Sequence, residues 1–119
     1  MAKTAFITRE ECVLHDTGRG HPESPARLGA VLDAFHMAGL NPPRLPVEKA
    51  ARQDLQRIHT REHIDTIERT CSGRLPYDDP DTVMMPESWA AALLAAGAGI
   101  AACKAVVAKE YDNVFTAMR

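Results

Sequence analysis

The side chains best suited to chemistry in this sequence are its histidines. His59 and His63 stand four apart in Ile58-His59-Thr60-Arg61-Glu62-His63-Ile64; on a helix that spacing puts both imidazoles on one face, as paired zinc ligands require. No glutamate follows the first histidine as in H-E-x-x-H, and no third ligand is apparent. A local structural role for His59 and an exposed position for His63 therefore stand against metal binding. His15 and His21 flank Gly18-Arg19-Gly20. They could touch a substrate or a partner, or they could order the loop, with His21 hydrogen-bonded where the next helix begins. The glycines do not make a phosphate loop, because the G-K-[ST] ending and a preceding strand are both missing. Cys12 has neither a nearby histidine nor an oxyanion arrangement, which argues against a cysteine nucleophile. Asp78, Asp79 and Asp81 cluster around Pro80, a composition that forms turns. Trp89 reads as a core residue rather than a platform for a ligand.

The elements that must position these groups follow from local pattern. Thr4 to Thr8 is short and β-prone and reads as a first strand; Glu10 to Glu23 reads as one long loop, and such loops are often functional. Ser24-Pro25 is expected to open a helix, with Ser24 as its cap and Pro25 at the first helical position. Leu28, Val31, Leu32 and Phe35 then recur at helical spacing, and Gly39 stops the helix. Leu45 to Val47 reads as a short strand. Asp54 to His59 and Thr60 to Cys71 read as two short helices, the second with Ile64, Ile67 and Cys71 on one face. Residues 72 to 86 read as loop. Ser88 is expected to cap a long helix from Trp89 to about Glu110, whose many alanines and glycines suit close packing and deep burial. Val114 to Met118 reads as a last strand. Strand, helices, long helix and strand together imply a parallel α/β sheet with crossover helices. The sheet would be incomplete, with an open edge at the last strand.

The bulk properties narrow the function. The chain has 119 residues, enough for one domain, and its 45% apolar and 25% charged residues are ordinary globular values. Fourteen basic and sixteen acidic residues give a net charge of -2, which supplies no footprint for nucleic acid and no polybasic patch for a membrane. The stretch from Ala90 to Val107, interrupted by Gly97, Gly99 and Lys104, reads as too weakly apolar for a membrane span. No stretch near the N-terminus has the apolar core of a signal peptide. Cys12, Cys71 and Cys103 form no C-x-x-C, and the expectation is reduced thiols in a cytoplasmic protein.

Four stretches, in order, carry a family resemblance. His15 with Gly18-Arg19-Gly20-His21-Pro22-Glu23-Ser24-Pro25-Ala26-Arg27-Leu28 resembles the glycine-rich loop and H-P-E-x-P-x-R-L signature near the start of histone deacetylases and acetylpolyamine amidohydrolases. Ile58 to Ile64 is similar to the family's V-H-S-x-x-Y-I segment, with His63 in the usual Tyr place. Asp79-Pro80-Asp81-Thr82-Val83-Met84-Met85-Pro86-Glu87-Ser88-Trp89, followed by Ala92 to Ala98, resembles the D-x-D-T-x-x-S-P-G-S-W…A-A-G-A block of bacterial members, with Met85 and Glu87 replacing Ser and Gly. Asn113 to Arg119 resembles the strand that leads into R-P-P-G-H-H-A.

The resemblance implies an arginase-like parallel sheet flanked by helices, with residues 1–119 forming the N-terminal segment of a single deacetylase-like domain. It implies hydrolysis of acetyl-amide bonds on acetylated lysine or polyamines by a zinc ion held by two Asp and one His. Such a metal polarises the carbonyl and lowers the pKa of bound water to about 7. The family's His-His pair, its zinc ligands and its oxyanion Tyr match no motif here, so this segment is expected to bind no zinc and to be inactive by itself. Two roles carry over. Asp81 aligns with an acidic residue on the tunnel rim that accepts hydrogen bonds from the substrate backbone, against a turn-forming alternative. Arg27 aligns with an arginine near the pocket floor that helps acetate leave, against an exposed position on its helix. The partners implied are an acetylated lysine or polyamine substrate, with no nucleic acid and no membrane. The rival reading is a catalytically dead short family member acting as an assembly module, a homo-oligomer formed through the open sheet edge or the apolar helix.

Overall fold

The computed structural model of the protein describes residues 1–74 and 79–119; Asp78 of the acidic cluster lies outside them. Strand β1, Thr4–Thr8, is followed by a 3₁₀ helix, Glu10–Leu14, and by helices α1 (Ala26–Met37), α2 (Arg52–Leu55), α3 (Arg61–Cys71) and α4 (Pro86–Val107), then by strand β2, Asn113–Ala117. The strands pair in parallel, with Phe6 opposite Phe115 and Thr8 opposite Ala117. Parallel pairing needs a crossover connection, which here contains every α-helix.

The pleat sends alternate side chains of β1 to opposite faces. On one face Phe6 meets Phe35 of α1 edge-on at 4.8 Å and stacks on Phe115 at 5.8 Å between ring centroids. Leu28, Val31 and Leu32 complete the apolar stripe of α1 around that pair. On the other face Ile7 packs with Val47, Ala98 and Val114. Helix α4 supplies Ala98 to this second cluster and Ala91 and Leu94 to the first. Its small residues permit close approach. At Gly97 the segment Glu48–Ala50 crosses so near that an added Cβ would lie 1.8 Å from the Glu48 carbonyl oxygen, and the Ala50 N–H donates to the Leu93 carbonyl at 2.9 Å.

Several expectations are corrected by tertiary context. Part of the Glu10–Glu23 loop is a 3₁₀ helix that buries Cys12. Ser24 does not cap α1: the helix begins at Ala26, Pro25 is its cap residue, and no side chain bonds there. Gly39 does end the helix, at φ +66°, with its N–H donating to the His36 carbonyl and that of Leu40 to Phe35. Leu45 to Val47 is not a strand, because only Arg44 bridges to Phe6. The first of the two short helices spans only Arg52–Leu55. Thr60 caps α3 by accepting the His63 N–H at 3.2 Å, and Ile64 and Cys71 are buried beneath it. Helix α4 starts earlier than expected, at Pro86, with Ser88 inside its first turn. By length and composition α4 is apolar enough to cross a membrane, yet it packs on the sheet, and only 28% of its most apolar window is buried. The deep burial expected of it holds for one side alone.

Candidate functional site

The loop before α1 turns on its glycines. Gly18 and Gly20 sit at φ +93° and +82°, a left-handed conformation that side chains disfavour. The Gly18 N–H donates to the Asp16 carboxylate at 3.0 Å, and the Thr17 hydroxyl donates to the Glu23 carbonyl. His21 orders the start of the helix, as one of the two expectations had it: its Nδ1 accepts the Glu23 N–H at 3.1 Å. Nδ1 also lies 3.2 Å from the Glu23 carbonyl, and Nε2 is buried without a partner among the described residues.

The same fold of the loop brings four distant segments into one polar cluster. The Met85 N–H donates to Ser88 Oγ at 3.0 Å, and Ser88 Oγ lies 2.6 Å from His15 Nδ1. With the hydroxyl as donor, His15 presents Nε2–H toward Glu23 Oε2, 3.5 Å away. Glu23 in turn is gripped by Arg119, whose Nε and Nη2 donate to its two oxygens at 2.7 and 2.6 Å. Arg119 Nη1 donates to the carbonyls of Cys12 at 3.2 Å and His15 at 2.5 Å. The Arg119 side chain is only 6% exposed. A bidentate carboxylate and two carbonyls answer the requirement that an interior guanidinium find acceptors. Arg119 holds the Glu23 carboxyl below its ordinary range through this hydrogen bonding, against a smaller opposing effect of burial.

Two clefts meet at the cluster. One, of about 280 Å³, has Asp81 on its wall together with His21, Cys71 and Ser88; the other, of about 540 Å³, has Arg27, Val31 and Phe115. Burial pushes the Cys71 thiol above its ordinary pKa, as suits a packing residue rather than a nucleophile. Asp81 is exposed, and its neighbour Asp79 makes the turn, accepting the Asp81 N–H at 3.0 Å and the Thr82 hydroxyl at 2.9 Å. Arg27 is exposed on α1. The two side chains thus face different clefts. His59 and His63 do come together, with ring centroids 5.1 Å apart, but both are exposed. Among the described residues no three His, Cys, Asp or Glu side chains converge as a metal ion would need. The described residues do not fit a catalytic zinc.

Sequence reasoning did not find the Glu23–Arg119 pair. The partners lie 96 positions apart, and local spacing carries no signal for it.

The site thus joins a parallel α/β sheet, a glycine-turned loop and the Glu23–Arg119 pair beside two clefts. Residues 21–119 match the family model of the histone deacetylase domain, and the chain belongs to that family. It is 36% identical over 103 residues to histone deacetylase 15 of Arabidopsis thaliana, covering 81% of this chain and 19% of that protein. It is 32% identical to the histone deacetylase-like amidohydrolase of Pseudomonas aeruginosa, covering 98% of this chain and 36% of the relative. The crystal structure of the HDA15 HD domain superposes with a TM-score of 0.89 at 30% identity, over 99% of this chain and 35% of that one. The chain thus spans between a fifth and two-fifths of the length of these relatives, and the likeness extends to the arginase-like α/β fold.

Proposed function

We propose that this chain forms the amino-terminal part of a zinc-dependent deacetylase that hydrolyses acetyl-amide bonds of acetylated lysine or polyamines. The observation that carries the reading is the match of residues 21–119 to the histone deacetylase domain. In this reading Asp81, exposed on the smaller cleft, accepts hydrogen bonds from substrate at the rim; its carboxylate is free for that because Asp79 forms the turn. Arg27, on the larger cleft, attracts the acetate product. Zinc and its ligands would have to come from residues other than those brought together here. The free thiols of Cys12, Cys71 and Cys103 suit a reduced, cytoplasmic setting. The test is zinc-dependent acetate release from an acetyl-lysine peptide and from an N-acetylated polyamine, by the protein translated from the full reading frame containing this chain. Release abolished by a chelator supports the reading; no release from either substrate with zinc present overturns it.

A second reading, an assembly module without catalysis, draws on exposed apolar surface. Ile58 is 84% and Val107 82% exposed, and Phe115 is half-exposed on the open strand β2. An exposed edge and an uncovered apolar helix favour self-association. Concentration-dependent dissociation in sedimentation supports this reading; a monomer at every concentration removes it.

A further inference from the structure

His59 and His63 meet although they do not share a helix. Helix α3 begins at Arg61 with Thr60 as its cap, so His59 lies one position before the cap and His63 in the first turn. Backbone bonds hold both in place: the His59 N–H donates to the Leu55 carbonyl at 2.9 Å, and the His63 N–H donates to Thr60 Oγ1 at 3.2 Å. The corner between α2 and α3 is thereby fixed, and the two rings come to 5.1 Å between centroids, tilted by 36°. That separation is the one a shared metal ion sets. An ion about 2.0–2.1 Å from each imidazole nitrogen stands about 3.2 Å from each ring centre, and a tetrahedral angle at the ion then puts the centres about 5 Å apart. Both side chains are exposed, so turning each ring to aim a nitrogen at the ion costs little, because that torsion is broad. The charges beside His59 are mixed, Asp54 lining the same cleft as Arg57 and Lys104.

We propose that His59 and His63 form a two-imidazole site for a late first-row divalent cation of the zinc, nickel and copper class, the ions that imidazole suits. Water fills the remaining positions, because among the described residues no third His, Cys, Asp or Glu side chain closes on the pair. A catalytic zinc takes three protein ligands, so this pair is a separate site, open and exchangeable. The ion's effect is mechanical. It ties the turn after α2 to the first turn of α3, and an ion that binds the folded chain in preference to the unfolded one stabilises that corner. The site is independent of the deacetylase reading.

The test is calorimetric titration with zinc chloride of the protein translated from the full reading frame containing this chain, any tightly held metal being left in place. Wild-type protein is expected to take up zinc in a saturable step that His59→Gln and His63→Gln each weaken by about tenfold or more. Magnesium chloride, whose cation prefers oxygen ligands, should give no such step. His36→Gln and Cys103→Ser, which change an exposed histidine of α1 and an exposed thiol, should leave it unchanged. Because His59 and His63 are exposed, their variants should unfold at the wild-type temperature in the absence of zinc. Zinc should then raise the midpoint of the wild type and raise it less in either variant. His63→Tyr, which restores the residue usual at this place in the family, decides the same comparison if a glutamine variant does not fold. A wild type without a saturable zinc step, or a step of undiminished affinity after either histidine is replaced, overturns the proposal and leaves the two rings a surface contact.

Discussion

Gly97→Ala is the substitution on which local and tertiary physics disagree most sharply. In an exposed helix the change would stabilise by about 1 kcal/mol, since glycine is a poor helix former. At this position the new Cβ would lie 1.8 Å from the Glu48 carbonyl oxygen, 3.0 Å from its carbon and 3.1 Å from the Ala50 nitrogen. All three are backbone atoms, so no side chain can rotate away. The segment over α4 must retreat by more than about 1 Å to restore normal contact in a close-packed interior. That retreat weakens the Ala50-to-Leu93 hydrogen bond, worth about 1 kcal/mol net, and loosens Val47 and Ala50, which are 5% and 8% exposed. Overpacking of this kind costs about 1–3 kcal/mol, so the expected balance is a loss of about 1–3 kcal/mol. For a domain of this size the thermal midpoint should fall by about 5–15 °C. Gly99→Ala, with nothing within 4 Å of the added carbon, is the control and should raise stability by about 0.5–1 kcal/mol. Urea and thermal unfolding of the two variants beside the wild type decide the matter. A Gly97→Ala protein as stable as Gly99→Ala would refute the close crossing of the Glu48–Ala50 segment.

Thr8 carries a buried hydroxyl with no partner among the described residues; Thr8→Val removes it at nearly constant shape and should leave the unfolding free energy measured in urea unchanged or raise it by up to about 1 kcal/mol. Thr60→Ala deletes the acceptor of the His63 N–H and should cost about 1 kcal/mol, read as an earlier thermal transition; a rise would contradict the cap. The depressed pKa of Glu23, caused chiefly by Arg119, stabilises the fold above the ordinary glutamate pKa of about 4.3. That contribution is lost as pH falls through the lowered, folded value. The stability gap between wild type and Glu23→Gln should therefore be widest near neutrality and close in more acid solution; a gap that widens as pH falls would reverse the assigned sign.

What could be read from the sequence was what depends on near neighbours. β1 has the expected bounds Thr4–Thr8, and the Leu28, Val31, Leu32 and Phe35 stripe lies against Phe6, because alternation and helical period report burial directly. The order of strand, helices and strand also implied a parallel sheet, and β1 and β2 do pair in parallel. Boundaries were less legible. Ser24 looked like a cap, but Pro25 is already in the helical conformation at φ -55°, ψ -31° and takes that place itself. Leu45 to Val47 looked like a strand, yet the segment spends its polar groups on Phe6 and on crossing α4. Within the site, the turn at Gly18 and the ordering role of His21 were legible. The grip of Arg119 on Glu23 was not, since it exists only once β2 has been laid beside β1.

That pairing has a kinetic corollary during synthesis. Lys3 and Asp112 join across 109 positions, and among the described residues β1 has no other strand partner than β2. At a ribosomal pace of about 5–20 residues per second, β1 emerges about 5–20 seconds before the strand that completes it. Throughout that interval Phe6 and Ile7, each no more than 2% exposed in the finished fold, lack their β2 neighbours Phe115 and Val114. The nascent chain should therefore be a client of holding chaperones, and the burden should ease only once Ala117 has cleared the exit tunnel.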